Sequence, residues 1–283
     1  MIKLCAFSDE AGASLREQTE ALHRGGIHLT ELRSIDGVNV KDFTAEKSRE
    51  YKKILDENGI GVWSIGSPVG KVDISIDFNA YLDTVRRVCE TANIFCCDKI
   101  RMFSFFNAYN EREKVMEYLC RLVEIAGEYG VTLCHENEKE VYGDTVARVL
   151  DIYENVKGIK LVYDPANYVQ VGENIDTALE KLFYKTSYFH IKDVIKSSGE
   201  LVPAGEGDGE IEKLISKIEK DTVLTLEPHL ALFEGYSGID HTEMKNKYKF
   251  ASNAESFDFA VGALDSVLKK CGYIKKGEGY IKQ

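Results

Sequence analysis

Short apolar runs rich in β-branched residues alternate along this chain with longer amphipathic stretches. The apolar runs predict strands near 2–7, 29–33, 60–65, 99–103, 131–136, 159–163, 187–191 and 223–227. The amphipathic stretches predict helices near 14–25, 44–58, 78–95, 111–129, 144–155, 174–184, 210–220 and 253–271. Thr44, Asp77 or Asn79, and Asn110 stand where they would cap three of these helices.

The regular alternation of strands and helices predicts how the strands are arranged. Consecutive strands joined by a helix run parallel, and eight such units are the number that closes a barrel. An open doubly wound sheet is the rival, but it usually has a glycine-rich phosphate turn after its first strand. The corresponding turn here, Ser8–Gly12, has no such motif. We therefore predict one (β/α)8 TIM-barrel domain spanning residues 1–283.

Composition and charge narrow the class of protein. The chain has 283 residues, of which 44% are hydrophobic, so it is neither disordered nor of low complexity. The formal net charge of −11 disfavours nucleic acid and acidic membranes as partners. The seven cysteines form no CxxC motif and are expected to be buried, reduced thiols of a cytoplasmic protein, which could form a homo-oligomer. We expect neither a signal peptide nor a membrane span.

Four consecutive predicted strands end in a residue that can bind a metal or move a proton: Glu136, Asp164, His190 and Glu227. The carboxyl ends of barrel strands meet at one mouth, so these side chains are expected to converge. Three carboxylates and one imidazole suit a single divalent ion, with Mn²⁺ favoured and Mg²⁺, Zn²⁺ or Co²⁺ possible. The absence of an obvious thiolate ligand argues against a structural zinc site.

Short motifs at these strand ends carry a resemblance to a known family. The motifs are Glu31-Leu32-Arg33, His135-Glu136-Asn137-Glu138, Asp164-Pro165-Ala166-Asn167, His190-Ile191-Lys192-Asp193, Gly205-Glu206-Gly207 and Leu226-Glu227-Pro228-His229. Over the whole chain and in this order they resemble the xylose-isomerase-like TIM-barrel superfamily of sugar epimerases, hydroxypyruvate isomerase, inosose dehydratase and endonuclease IV. The resemblance implies that Glu136, Asp164, His190 and Glu227 are metal ligands. It also implies that Glu136 and Glu227 handle protons.

The departures from the family pattern argue against one activity. Endonuclease IV-like members need extra histidines for three metals, one of them at the position of Asn167 here. The stretch Leu201–Ile211 contains Asp208 but no histidine. A trinuclear centre and a DNA-repair function are therefore disfavoured. Because some epimerases also have histidine where Asn167 stands, the resemblance does not fix a particular epimerase.

Six further residues are expected to bind substrate at the mouth: Lys192, Arg101, Lys71, Glu31, Arg33 and Asn167. Lys192 and Arg101 would hold negative charge on the substrate, or form a simple ion pair at the mouth. Glu31 and Arg33 point the same way and could pair with each other. His229 is interpreted as a surface residue or a partner of the metal ligands. The Gly205–Gly209 turn either approaches a phosphate or simply reverses the chain.

One long connection, 228–252, follows the last strand. Loops of this length usually have a purpose, so it is either a lid, a subunit contact or a solvated excursion.

These features lead to a prediction of function. The chain is expected to be a metal-dependent isomerase or epimerase of a small carbohydrate or polyol, moving a proton through a metal-bound enediolate. A hydro-lyase of the inosose-dehydratase type is the first alternative. A non-catalytic carbohydrate-binding or partner subunit is the second, because fold does not fix function.

Overall fold

A closed barrel of eight parallel strands forms the centre of the protein. The computed structural model describes residues 1–233 and 244–283. The barrel strands are β1 (Ile2–Ala6), β2 (Leu29–Leu32), β3 (Gly61–Gly66), β4 (Lys99–Met102), β5 (Thr132–Glu136), β6 (Lys160–Tyr163), β7 (Thr186–Ile191) and β8 (Thr222–Leu226). Each strand pairs with the next, and β8 pairs with β1 in register from Ile2–Thr222 to Ala6–Leu226. The predicted (β/α)8 barrel is confirmed.

Helices surround the barrel. In the described residues they are α1 (Leu15–Gly25), α2 (Ala45–Glu57), α3 (Phe78–Ile94), α4 (Arg112–Glu128), α5 (Val146–Asn155), α6 (Pro165–Gln170), α7 (Ile175–Leu182), α8 (Ile211–Ser216) and α9 (Asn253–Lys270). Thr44 and Asp77 cap α2 and α3 as predicted, because each side chain accepts a hydrogen bond from the helix. The predicted cap at Asn110 is wrong: Glu111 precedes α4, and its side chain makes no capping bond.

Some elements of the fold differ from the prediction. A short helix, α6, begins directly after Asp164, and α8 ends at Ser216 instead of continuing to residue 220. A C-terminal hairpin, β9 (Tyr273–Lys276) and β10 (Gly279–Lys282), was not predicted. Its strand β10 runs antiparallel to the start of β1, where Tyr280 pairs with Ile2. The hairpin buries mainly Tyr273 and Tyr280, so its hydrophobic pattern is weak.

The apolar side chains form two layers of core. The larger layer fills the space between the strands and the helices. A smaller cluster in which Cys5, Cys134, Val162, Tyr188 and Val223 pack together is separate from it. This separation is typical of a TIM barrel, in which one set of strand residues faces the barrel axis and the other faces the helices.

The cysteines are free thiols in differing surroundings. Cys5, Cys89, Cys97 and Cys134 are buried, as expected. Cys96 is exposed, so the expectation of burial is wrong there. Among the described helices, none combines the length and the apolar character needed to cross a bilayer.

Candidate active site

The four residues predicted to bind a metal lie together at the mouth of the barrel. Glu136 ends β5, Asp164 follows β6, His190 lies in β7 and Glu227 follows β8. Each is buried, and each offers one ligand atom within 4.8 Å of the others. Convergence follows from the parallel barrel, which brings residues far apart in sequence to neighbouring strand ends.

The imidazole of His190 lies at the centre of this cluster. Its Nδ1 is 3.0 Å from Oε1 of Glu136 and 3.1 Å from Oε2 of Glu227. Its Nε2 is 3.1 Å from Oε2 of Glu31, and the other oxygen of that carboxylate, Oε1, accepts a hydrogen bond from the Tyr188 hydroxyl. Burial opposes a charge on His190, but Glu136 and Glu31 outweigh it and raise the His190 pKa. Glu31 therefore fixes the ring so that Nδ1 faces the two glutamates.

The cluster has the properties expected of a site for a divalent ion. Oδ2 of Asp164 and Oε2 of Glu227 are buried, and in the described ranges their close neighbours, Lys192 and His190, form ion pairs with them without the geometry of a regular hydrogen bond. Burial raises the pKa of Asp164 to about 7, and the carboxylates of Glu136 and Glu227 add to this effect against the opposing Lys192. A cation among these oxygens would remove the repulsion between the carboxylates and provide them with a close electrostatic partner. The donor set thus fits a bound metal.

Two predicted substrate-binding bases contact the cluster. Nζ of Lys192 is 2.8 Å from Oδ2 of Asp164 and 3.8 Å from Oε2 of Glu227. Nε of Arg101 is 3.3 Å from Oε2 of Glu136. Burial opposes a charge on Lys192, but Asp164 and Glu227 raise its pKa, so it stays a cation. Both bases form ion pairs with the cluster at the mouth.

Asparagine side chains tie the ends of β5 and β6 together. The amide of Asn137 donates to the carbonyl oxygen of Asp164 and accepts from its backbone N–H, at 2.8 and 2.9 Å. Nδ2 of Asn167 donates to the carbonyl oxygen of Asn137 at 2.8 Å and lies 3.5 Å from Oε1 of Glu136. Asn167, predicted to bind substrate, thus also positions Glu136.

A buried arginine links the first, second and eighth strands. Arg33 donates two hydrogen bonds to Asp9, at 2.9 and 3.0 Å, and one of 3.1 Å to Oε1 of Glu227. Its guanidinium lies 4.3 Å from the centre of the Phe7 ring and 4.7 Å from that of Phe233. The predicted pairing of Arg33 with Glu31 is wrong, because among the described residues Arg33 forms ion pairs with Asp9, Glu10 and Glu227 instead.

Asp9 and Glu10 are site residues that the sequence analysis missed. They follow β1 in a short 3₁₀ turn, Ser8–Glu10, and both are buried. The strand-end rule that identified Glu136 and Glu227 also applies to β1 and could have found them. Burial raises the pKa of Glu10 to about 8, partly opposed by Arg33.

His229 lies in the site, so its interpretation as a surface residue is wrong. Its side chain is only 6% exposed, and Nε2 is 3.3 Å from Glu10 and 3.5 Å from Glu227. Its backbone has a left-handed φ of 47° and donates a 2.8 Å hydrogen bond to Oε2 of Glu10.

The long connection after β8 covers part of the mouth. Within its described residues, His229 and Phe233 pack on the network around Arg33. Farther on, the carbonyl oxygen of Lys245 accepts a hydrogen bond from Leu201. Residues 234–243 of the predicted connection 228–252 lie outside the described residues.

Lys71 reaches the mouth from the loop after β3. Its Nζ is 2.8 Å from Oε2 of Glu138 and 4.5 Å from the centre of the Phe103 ring. Gly70 makes this approach possible, because it has a φ of 84° and any side chain there would collide with the backbone of Phe103.

The Gly205–Gly209 turn closes on a side chain of the protein itself. The backbone N–H groups of Gly205, Gly207 and Gly209 donate to the Asp193 carboxylate at 2.9, 3.0 and 2.9 Å. A side chain at Gly207 would collide with that carboxylate. The glycines therefore serve an internal contact, and the predicted approach to a phosphate is wrong for these N–H groups.

Comparison with known families gives one assignment. Residues 20–237 match the family model described as the xylose isomerase-like TIM barrel. A comparison with curated proteins gives no significant match.

Solved structures of similar fold cover almost the whole chain. D-psicose 3-epimerase, solved in the presence of D-fructose, has a TM-score of 0.74 at 16% identity and covers 95% of this chain and 99% of its own. The IOLI protein with a bound zinc atom has a TM-score of 0.73 at 17% identity, covering 95% and 98%. The probable 3-DHS dehydratase AsbF of Bacillus anthracis has a TM-score of 0.71 at 16% identity, covering 93% and 98%. At these identities the likeness shows the fold alone.

Proposed function

Because the chain belongs to the xylose isomerase-like TIM barrel family, we propose that it is a divalent-metal-dependent isomerase or epimerase of a small carbohydrate. Residues 1–283 would form a single catalytic domain. Glu136, Asp164, His190 and Glu227 would hold the ion, with Mn²⁺ favoured because three of the four donors are carboxylates. Mg²⁺, Zn²⁺ and Co²⁺ are the alternatives.

One observation carries this proposal. Two carboxylates from separate strands, Glu136 and Glu227, converge within 3.1 Å of the same nitrogen of His190. Epimerisation needs a base on one face of the substrate and an acid that returns the proton from the other, whereas isomerisation can use one carboxylate that reaches two neighbouring carbons. Carboxylates entering from β5 and β8 provide such a pair.

The chain's own residues have separate tasks in this proposal. A divalent ion, when bound, polarises a carbonyl and its neighbouring hydroxyl and so acidifies the C–H between them. One of the carboxylates, Glu136 or Glu227, takes the proton, and the other returns it. Lys192 and Arg101 stabilise the negative charge that develops on the substrate oxygens. Arg33 and Asn167 keep the two glutamates in position.

The position at which the proton returns determines the product. Return to the neighbouring carbon gives an isomer, and return to the opposite face of the same carbon gives an epimer. If the protonated glutamate instead gives its proton to a β-hydroxyl, the C–O bond breaks, the hydroxyl leaves as water, and the product is dehydrated. The structural likeness to a probable dehydratase supports this last outcome as the second candidate. A conjugated enone product, detected by its ultraviolet absorbance, would identify it.

The test of the proposal is isotope exchange by a variant that keeps the site intact. Protein purified without chelator is first assayed for bound metal and then incubated in D₂O with ketoses and inososes plus Mn²⁺. We expect Glu136→Gln to retain most of the metal, because the amide oxygen can still coordinate. We expect it to lose about 10²–10⁴-fold in deuterium incorporation, measured by NMR, because it can no longer accept the proton.

The control is Glu154→Gln, the same chemical change on the exposed surface of α5. It should exchange deuterium at the wild-type rate. Wild-type exchange by Glu136→Gln would reject the role of Glu136. A protein that binds neither metal nor any exchanging substrate would instead support the non-catalytic alternative.

A further inference from the structure

A buried carboxylate lies behind the imidazole of His190, on the side away from the two glutamates at the mouth. Nδ1 of His190 contacts Glu136 and Glu227, whereas Nε2 lies 3.1 Å from Oε2 of Glu31. The side chain of Glu31 is fully buried. Because the imidazole ring separates it from the two glutamates, Glu31 is placed to act on the ring of His190 and not on a substrate.

The second oxygen of Glu31 extends this contact into the barrel interior. Oε1 accepts a hydrogen bond of 2.8 Å from the hydroxyl of Tyr188, and Oγ of Ser64 lies 3.2 Å from that hydroxyl. A tyrosine hydroxyl has one hydrogen, so when it donates to Glu31 the serine supplies the hydrogen for the next contact. Glu31, Tyr188 and Ser64 come from β2, β7 and β3, and all three are buried. These three residues form the support chain of His190.

The support chain determines which ring nitrogen of His190 carries hydrogen. A carboxylate accepts hydrogen bonds and donates none, and Oε1 of Glu31 is already engaged by Tyr188. The 3.1 Å contact at Oε2 therefore requires a hydrogen on Nε2 of His190. A neutral imidazole has a single N–H, so Nδ1 then carries the lone pair with which the ring binds a metal ion.

Close packing restricts the support chain to this arrangement. The ring of Tyr188 meets the ring of Trp63 edge-on, with the two centres 6.1 Å apart. Nε of Arg101 lies 3.9 Å from Oε1 of Glu31 and 3.3 Å from Oε2 of Glu136, so one cation attracts both carboxylates. In a close-packed interior such side chains have little freedom to turn, and a ligand that contacts them is held in one orientation.

We propose that Glu31, Tyr188 and Ser64 are positioning residues that present Nδ1 of His190 to the metal ion and so set the affinity and geometry of the metal site. This inference rests on the proposed function only in that the ion binds at His190, and it requires no particular substrate. Glu31, which the sequence analysis expected to bind substrate, would act through the imidazole ring instead. Loss of such outer contacts typically weakens metal binding about 10–100-fold.

The first arm of the test measures metal affinity along the support chain, by isothermal titration of chelator-treated protein with Co²⁺ and with Mn²⁺. Glu31→Gln should weaken binding about 10–100-fold, because its amide NH₂ group can face Nε2 and favour a hydrogen on Nδ1. Tyr188→Phe, which removes only a hydroxyl, should weaken binding less, and Ser64→Ala least. The matched control is Tyr280→Phe, which removes a buried hydroxyl that donates to the Asp265 carboxylate at 2.9 Å in the C-terminal hairpin. The control should bind both ions like the wild type.

The second arm observes the imidazole itself. In protein loaded with Zn²⁺, nitrogen NMR of the histidine side chains should show His190 coordinated through Nδ1, with hydrogen on Nε2. In protein loaded with Co²⁺, Tyr188→Phe should shift the visible absorption bands of the ion, because the ring that coordinates it is less firmly held. Tyr280→Phe should leave those bands unchanged.

The outcomes separate this inference from the proposed function. A lower unfolding temperature with wild-type Co²⁺ affinity and absorption, in either Glu31→Gln or Tyr188→Phe, would overturn the inference, because a merely structural role changes stability alone. Coordination of His190 through Nε2 would also overturn it, and both results would leave the proposed function standing. A wild-type protein that binds none of the three ions would count against the proposed function itself.

Discussion

Replacing Arg33 with methionine tests whether the buried charge network stabilises the barrel. The substitution keeps much of the aliphatic volume between the Phe7 and Phe233 rings but removes the cation facing three carboxylates. Arg33, Asp9 and Glu227 all have side chains at most 4% exposed, so water cannot replace the lost partner. Removing one partner of a buried ion pair costs about 3–5 kcal/mol.

A surface pair provides the matched control. Arg24 donates two hydrogen bonds to Asp258, at 2.9 and 3.2 Å, as Arg33 does to Asp9. Here, however, both side chains are more than 40% exposed. Exposed pairs of this kind contribute about 0–1 kcal/mol. Arg24→Met should therefore change the unfolding temperature very little, whereas Arg33→Met should lower it by on the order of 10 °C.

The assay is thermal unfolding followed by circular dichroism, with the protein both loaded with Mn²⁺ and treated with chelator. Arg33→Met should also bind Mn²⁺ about 10–100-fold more weakly, because Oε1 of Glu227 loses its donor. Equal and small shifts for Arg24→Met and Arg33→Met would refute the claim that burial makes this network strong. An unchanged affinity for Mn²⁺ would refute the positioning of Glu227 by Arg33.

Three further outcomes can be checked by stability measurements. Asp193→Ala should leave three glycine N–H groups without their acceptor and lower stability by about 1–3 kcal/mol in urea unfolding; a change within 0.5 kcal/mol would contradict this. Gly66→Ala would place a methyl group 2.5 Å from the Phe7 ring, and overpacking should cost about 1–3 kcal/mol by the same assay; unchanged stability would contradict this. Hydrogen bonds from Ser75 and Asn107 lower the pKa of Asp73 to about 2, so its contribution to stability is present above pH 4 and lost as the pH falls toward 2. In a plot of unfolding temperature against pH, Asp73→Asn should reduce the slope between pH 2 and 4. An unchanged slope there would show that Asp73 does not contribute to stability.

The sequence predicted best those features that depend on where a residue lies along a barrel strand. In a parallel barrel every strand ends at the same mouth, so four ligand-type residues at four strand ends could be expected to meet. The alternation of apolar runs and amphipathic stretches predicted the eight strands, because buried strands and surface helices differ in their hydrophobic pattern. Weakly apolar elements were missed, as the Lys-rich C-terminal hairpin shows.

Pairings between side chains could not be deduced from spacing. Arg33 and Glu31 lie two residues apart, yet Arg33 contacts Glu227, 194 positions along the chain. The glycines of the 205–209 turn indicated that some group approaches the backbone closely, but not that the group is Asp193. Such contacts depend on the three-dimensional arrangement of loops, which strand and helix periodicity does not encode.

The C-terminal hairpin lies at the opposite end of the barrel from the candidate active site. It joins β1 at Ile2 and Lys3, whereas the other end of β1 leads to Asp9 and Glu10. Its turn, at Gly277 and Glu278, is exposed. A protein anchored to a solid support through that turn would present its mouth to the flowing solution, so this hairpin is the natural attachment point for an immobilised form.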